Sequence, residues 1–407
     1  MIPAAASRAR SRLACSSTEI FSSPLLSRSS GFTISRVFLL FRSNSKSRPV
    51  RSVPDPLLTK TTRWPSGEMV KFRGAPREKR NVRALWRGNG SSLIGIDRTL
   101  SLMSLAPSAS KSAGARLLLV HAHPDDESIN NGATMAKYIA EGAQVALVTC
   151  TRGEEGEVLV PEFANLASDK DDQLGPHREI ELKNALAALS GSNQMQHYFL
   201  GAPDVKYRDS GMMGMPQNER PDVFWSTSLD TAASHLVEII RKFKPQVLIT
   251  YDEIGGYGHP DHIQAHRVSM RAADLAADQN YGTSAPWSIS KIYWNTIPRS
   301  VIQKGMDAMK DSGSAFFGAE SIEDIPFAKP DELVTSVVDA TEFVSQKMEA
   351  MRAHATQIAV DGPFFALSNM LGMQVFGVEY YTLAKGVVSE PFDADGREIN
   401  LFSGVSI

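Results

Sequence analysis

Cysteine is almost missing: Cys15 and Cys150 are the only two in 407 residues. One lies in the basic first quarter and the other stands alone in the main body. No internal disulfide framework is therefore expected, and a reducing, cytoplasmic setting fits best. Long apolar runs are missing as well. The piece Val37–Phe41 is flanked by Arg36 and Arg42 and is far shorter than the roughly 18 residues a membrane helix needs, so no membrane partner is expected. Acidic residues are scarce at one end only. Residues 1–102 hold 19 Lys+Arg against 5 Asp+Glu; by difference from the totals of 43 and 45, the remainder holds 24 against 40. So acidic a body argues against nucleic acid, whose phosphates need a basic surface. No glycine-rich loop opens the first helix, which leaves a dinucleotide cofactor without support.

The first segment is rich in Ser and Arg and shows no sustained period, so residues 1–112 are expected to form a disordered leader and residues 113–407 the folded domain. Three origins compete for the leader: an organelle transit peptide, a basic nucleic-acid-binding arm, or upstream sequence preceding a true start at Met103.

From Arg116 the pattern becomes regular. Arg116–Ala122, Gln144–Cys150, His197–Leu200, Gln246–Tyr251 and Lys291–Asn295 read as strands, the first two as continuous apolar runs of the kind buried on both faces. Between them, helices are expected over Ala133–Ala140, His177–Leu189 and Leu229–Phe243, with Gly142 stopping the first. This alternation predicts an α/β, Rossmann-like three-layer fold with a mainly parallel sheet. In such sheets ligands bind beyond the carboxyl ends of the strands, where strand order reverses.

Three strand ends carry dense titratable loops: His123-Pro124-Asp125-Asp126-Glu127, then Thr151 to Glu157, then Gly255 to His262. Alone, each reads as a solvated turn. Brought together, His123, Asp126 and His262 meet the three-ligand count of a catalytic zinc, and Asp125 is left over as a base. Other histidines have plainer readings. His121 is expected to be a satisfied core residue, and His177, His197, His235 and His354 to be packing or surface. Cys150 ends a buried strand and reads as inert. Phe364, Phe365, Phe376, Tyr380 and Tyr381 read as core or pocket wall.

The paired motifs His123–Glu127 and Gly258–His262 resemble those of the LmbE-like (PIG-L) zinc N-deacetylases, and the likeness extends over most of residues 115–385. Within that family the chain is most similar to the branch that deacetylates N-acetylglucosaminyl-inositol in mycothiol biosynthesis. Cys150–Val158, Gln173–Gly175 with Arg178, Arg208–Met212 and Gly255–His259 support it. The resemblance implies one Zn2+ per subunit held by His123, Asp126 and His262, with Fe2+ or Co2+ acceptable to the same donors. It implies Asp125 as general base, Tyr257 as oxyanion donor, His259 as the group that protonates the leaving amine or stabilises the charge beside it, and Asp261 as its orienter. Arg178, Asp209 and Glu157 would contact sugar and inositol hydroxyls; on sequence alone Arg178 could equally pair with Glu179 or Glu181. The family does not use His266 as a ligand. Its members start shortly before the first strand, which favours Met103 as the start here.

Two alternatives stand beside the deacetylase. A mycothiol S-conjugate amidase shares the metal motif, but Ser128–Thr134 after the first motif and the retained Gly258 favour the deacetylase. A non-catalytic sugar-binding protein of the same fold should have lost a ligand or the base, and all four residues are present.

Overall fold

The computed structural model describes residues 112–311, 319, 321–359 and 377–407. The expected leader, apart from Ser112, and the aromatics Phe364, Phe365 and Phe376 lie outside the described residues.

Five strands run parallel: β1 (Arg116–His121), β2 (Gln144–Thr149), β3 (Gln196–Phe199), β4 (Val247–Thr250) and β5 (Lys291–Pro298). They are followed in the chain by β6 (Ala328–Lys329), β7 (Ser336–Asp339) and β8 (Val378–Lys385). The sheet order is β3-β2-β1-β4-β5-β8-β7, with β6 beside β5. Strand order reverses at β1, whose neighbours are β2 and β4. The carboxyl ends of these three strands therefore form the crevice that the sequence points to.

Side chains alternate across β1, and each set enters its own core. Leu118 and Val120 pack with α3 (Leu229–Phe243) and α5 (Pro260–Ala277) on one face. Leu117 and Leu119 pack with α1 (Asp126–Ala140), α2 (Leu174–Ser190) and α7 (Val344–Ala353) on the other. The result is the three-layer α/β arrangement expected from the alternation. A one-turn α4 (Gly255–Gly258) precedes α5, and α6 (Arg299–Asp311) follows β5.

Two differences from the sequence reading matter. Helix α1 starts at Asp126, seven residues before the expected Ala133, because its polar first turns are buried rather than solvated: Glu127, Ser128 and Asn131 are all 0% exposed. Carboxylates there also face the free N–H groups and positive end of the helix. The second difference is the antiparallel edge formed by β8 and β7, which the reading of five strands did not reach. Tyr381 of β8 is core, as expected, and Tyr380 beside it is partly buried. No described helix is long and apolar enough to cross a membrane.

Candidate active site

The loops after β1, β2, β3 and β4 meet beyond the carboxyl ends of the strands, and His123 is at the centre of what they carry. Its backbone N–H donates to Asp126 Oδ2 at 2.9 Å, which fixes that carboxylate at the start of α1. His123 Nδ1 lies 3.4 Å from Asp126 Oδ2 and 3.3 Å from His262 Nε2, and His262 Nε2 lies 3.4 Å from Asp126 Oδ1. Ligand atoms held about 2.0–2.1 Å from a tetrahedral zinc are separated by roughly 3.3–3.4 Å; the two imidazole nitrogens stand that far apart, and the Asp126 carboxylate presents Oδ2 to one and Oδ1 to the other.

The remaining ring nitrogens complete the fit. A metal-bound histidine ordinarily donates its other N–H to a carboxylate or a backbone carbonyl. His123 Nε2 faces Asp261 Oδ2 at 3.3 Å and Asp209 Oδ1 at 3.6 Å. His262 Nδ1 meets the Gly255 carbonyl at 3.2 Å. Gly255 has a φ of 63°, and a Cβ there would sit 2.6 Å from the His262 Cβ; only glycine brings that carbonyl close enough to orient the ring.

Electrostatics separate the roles of two adjacent carboxylates. Burial alone would raise Asp126, but His262 and His123 hold it well below the usual carboxylate range, in the form a metal takes. Asp125 goes the other way: burial pushes it up to about 7, with Arg178 opposing and Asp126 adding to the rise. Burial lowers His262 to about 4, which keeps its ring neutral, the form in which an imidazole can bind a metal. His123 also suffers burial, yet Asp209, Asp126 and Asp261 raise it well above its ordinary value. Three carboxylates converging on one imidazole call for a cation.

Asp125 is positioned from several sides. Its φ of 120° is strained for a residue with a Cβ. Its N–H donates to Glu127 Oε2 at 3.0 Å, and Glu127 Oε1 is held by His354 Nε2 at 2.8 Å. Arg178 donates to Asp125 Oδ2 at 3.1 Å, to the Gly153 carbonyl at 2.8 Å and to the Pro124 carbonyl. A Cβ on Gly153 would lie 1.9 Å from Arg178 Nη1, so the glycine clears the space for this guanidinium.

A family model described as PIG-L, GlcNAc-PI de-N-acetylase, matches residues 118–273. The 1D-myo-inositol 2-acetamido-2-deoxy-alpha-D-glucopyranoside deacetylase of Geodermatophilus obscurus is 56% identical over 294 residues, covering 71% of this chain and 98% of that protein. The protein of the same name from Streptomyces griseus subsp. griseus is 57% identical over 291 residues, covering 71% and 89%. This chain belongs to the PIG-L family. The family membership read from the two His-Pro-Asp motifs is borne out.

Placed in this PIG-L site, the expected residues do not all stand where the sequence reading put them. His259 caps α5: its Nδ1 accepts the Asp261 N–H at 3.1 Å, and its ring centroid is 4.6 Å from that of His123. Asp261 was expected to orient His259 through its carboxylate. That carboxylate instead accepts from the Ser210 N–H at 2.9 Å and from the Ser210 hydroxyl, and it faces His123; only its backbone reaches His259. Tyr257 is 37% exposed, with its ring centroid 4.9 Å from that of His262. Arg178 does not pair with Glu179 or Glu181, which bind Arg152 and Thr356. The two Nη groups of its guanidinium serve Asp125 and two carbonyls, a supporting role rather than an open hydroxyl clamp. Asp209 accepts the Glu155 and Gly211 N–H groups beside His123, whereas Glu157 lies exposed on the loop after β2.

His121, His266 and Cys150 keep their plain readings. His121 bonds Tyr251 and Asn131, His266 Nδ1 meets the Tyr251 carbonyl at 2.9 Å, and burial pushes the Cys150 thiol up. His354 is packing rather than surface, fully buried with its Nε2 2.8 Å from Glu127. Sequence reasoning also missed Tyr251 and Ser210. Ser210 lay within a segment already singled out, Arg208–Met212, whereas Tyr251 read as the last core residue of a strand.

Proposed function

We propose that this chain hydrolyses the acetamide of N-acetylglucosaminyl-inositol to glucosaminyl-inositol and acetate, as a cytoplasmic enzyme of mycothiol biosynthesis. The relatives' names support the substrate, and the His123–Asp126–His262 triangle with Asp125 beside it carries the chemistry. We assign the metal to His123 Nδ1, an Asp126 oxygen and His262 Nε2, with zinc as the ion that suits two imidazoles and a carboxylate. Such an ion supplies Lewis acidity toward the amide carbonyl and a more acidic water.

The chain's own groups do the rest. Asp125, whose carboxyl burial raises above the usual carboxylate range, takes the proton of the attacking water; Arg178 and the Glu127 clamp keep its carboxylate aimed. Water oxygen joins the carbonyl carbon, the C–N bond breaks, and the proton on Asp125 is available to the departing amine. His259 accepts a backbone N–H at Nδ1, so its neutral ring carries hydrogen at Nε2 and serves as a donor to developing negative charge. Tyr257, its ring centroid 4.9 Å from that of His262, offers a second donor through its hydroxyl. Asp209 acts beside His123, and Glu157 is the accessible acceptor for substrate hydroxyls.

Free-amine release by the full-length chain, with N-acetylglucosaminyl-inositol and a mycothiol S-conjugate offered in parallel, tests this reading. Preferential turnover of the acetamide, lost with chelator, is the expected result. Preferential cleavage of the conjugate would replace the deacetylase with the amidase.

A further inference from the structure

The turn that follows α7 reaches the base of the site from the C-terminal part of the chain. His354, the residue just past the end of α7, is 0% exposed, and its Nε2 lies 2.8 Å from Glu127 Oε1. A carboxylate only accepts, so the imidazole donates. Ser128 Oγ donates to the same oxygen. With Oε1 held by two donors, Oε2 is left to accept the Asp125 N–H at 3.0 Å. Asp125 needs that hold, because its φ of 120° persists only where the surroundings fix it. The turn is itself anchored. Thr356 donates to Glu181 through its N–H at 2.8 Å and its hydroxyl at 2.7 Å, and its carbonyl accepts the Leu159 N–H at 2.9 Å. Glu181 stands on α2, the helix that also carries Arg178. Asp125 is thus gripped twice, at its N–H by Glu127 and at its carboxylate by Arg178, and one turn after α7 is bonded behind both grips.

We propose that His354 is a positioning residue for the general base, holding Glu127 so that Asp125 keeps the backbone angle that aims its carboxylate into the site. The inference rests on the assignment of Asp125 as the base in the proposed function. The direction of the Asp125 N–H sets its φ, and φ sets where the side chain points. The partner of His354 is Glu127, which is not one of the three residues assigned to the metal. Its effect therefore belongs to proton transfer and not to holding the ion. Asparagine and glutamine at this position separate reach from bulk. A glutamine carboxamide offers an N–H where Nε2 stands, whereas that of asparagine matches Nδ1 and stops short of Glu127.

A catalytic group displaced by about 1 Å costs on the order of 10²-fold in rate. Full-length wild type, His354→Asn and His354→Gln should be compared for kcat and KM of amine release from N-acetylglucosaminyl-inositol. Zinc affinity, read against a chromophoric chelator, and melting by circular dichroism complete the set. His354→Asn is expected to lower kcat by about 10- to 100-fold with KM and zinc affinity unchanged. His354→Gln should recover most of that loss, whatever its melting temperature. Wild-type kcat in a His354→Asn protein that only melts lower would overturn the proposal and leave the histidine as packing. A glutamine variant no faster than the asparagine one would overturn it too, because the donor to Glu127 would then not matter. So would a fall in zinc affinity that matches the fall in kcat, since the support would then run to the ion. Wild-type protein that releases no amine would instead overturn the deacetylase reading beneath it.

Discussion

Two groups of buried carboxylates among the described residues are neutralised differently. At the antiparallel edge, Glu398 accepts from Lys291, Tyr293 and Ser336 and from the Ser389 N–H. Glu379 accepts from Lys347 at 2.7 Å and from the Ala133 and Thr134 N–H groups. Each has an ammonium of its own and several donors. At the carboxyl ends of β1 and β4, Asp126, Asp209 and Asp261 share the His123 imidazole. Buried charge without a matching partner is costly, and a fold keeps it where something bound supplies the counter-charge. Both clusters are polar and enclosed; the uneven one marks the site.

Removing a ligand from the uneven cluster should have the largest effect. His262→Ala is expected to abolish metal uptake, measured by metal analysis of purified protein, and to abolish amine release with it. Asp125→Asn should lower kcat by about 10²–10⁴ while metal content stays at the wild-type level. That pair of variants separates holding the ion from moving the proton.

At the balanced cluster the expected effect is on stability alone. Lys291→Met leaves Glu398 buried without its ammonium and should destabilise the fold by about 3–5 kcal/mol in urea denaturation. Zinc affinity of the folded fraction should not change. Pairing it with Glu398→Gln should recover part of the loss, because the stranded charge goes with its partner.

The smallest expected effect lies away from both clusters. Burial lowers His197 from 6.5 to about 4. The unfolded chain therefore binds a proton between those values that the folded chain refuses. This contribution to stability is complete above 6.5 and declines as pH falls toward 4. His197→Gln should lose stability less steeply than wild type over that interval, read from urea midpoints.

The same contrast explains what could be read in the residues. The five parallel strands were legible within about two residues at most ends, most directly β1, β2 and β4, where apolar runs buried on both faces leave little choice of register. Strand β8 was not, since Glu379 faces inward at a position where alternation calls for an apolar side chain, and its partner Lys347 is 32 residues away in the chain. Helix α1 was foreshortened for a related reason: Glu127, Ser128 and Asn131 look solvated and are buried. The candidate ligands were visible because the ends of β1 and β4 each supplied a His-Pro-Asp. The supporting layer was hidden, because Tyr251 reads as core and His354 as packing or surface until His262 and Glu127 are placed beside them.

A calorimetric titration of the metal-free, full-length chain with Zn2+ tests the central claim most directly, with Asp126→Asn and Lys291→Met as the two comparisons. Binding of one ion per chain, lost in Asp126→Asn and kept in folded Lys291→Met, is the predicted result. Zinc uptake that survives Asp126→Asn undiminished would contradict the account, because the Asp126 carboxylate between His123 and His262 would then not be what holds the metal.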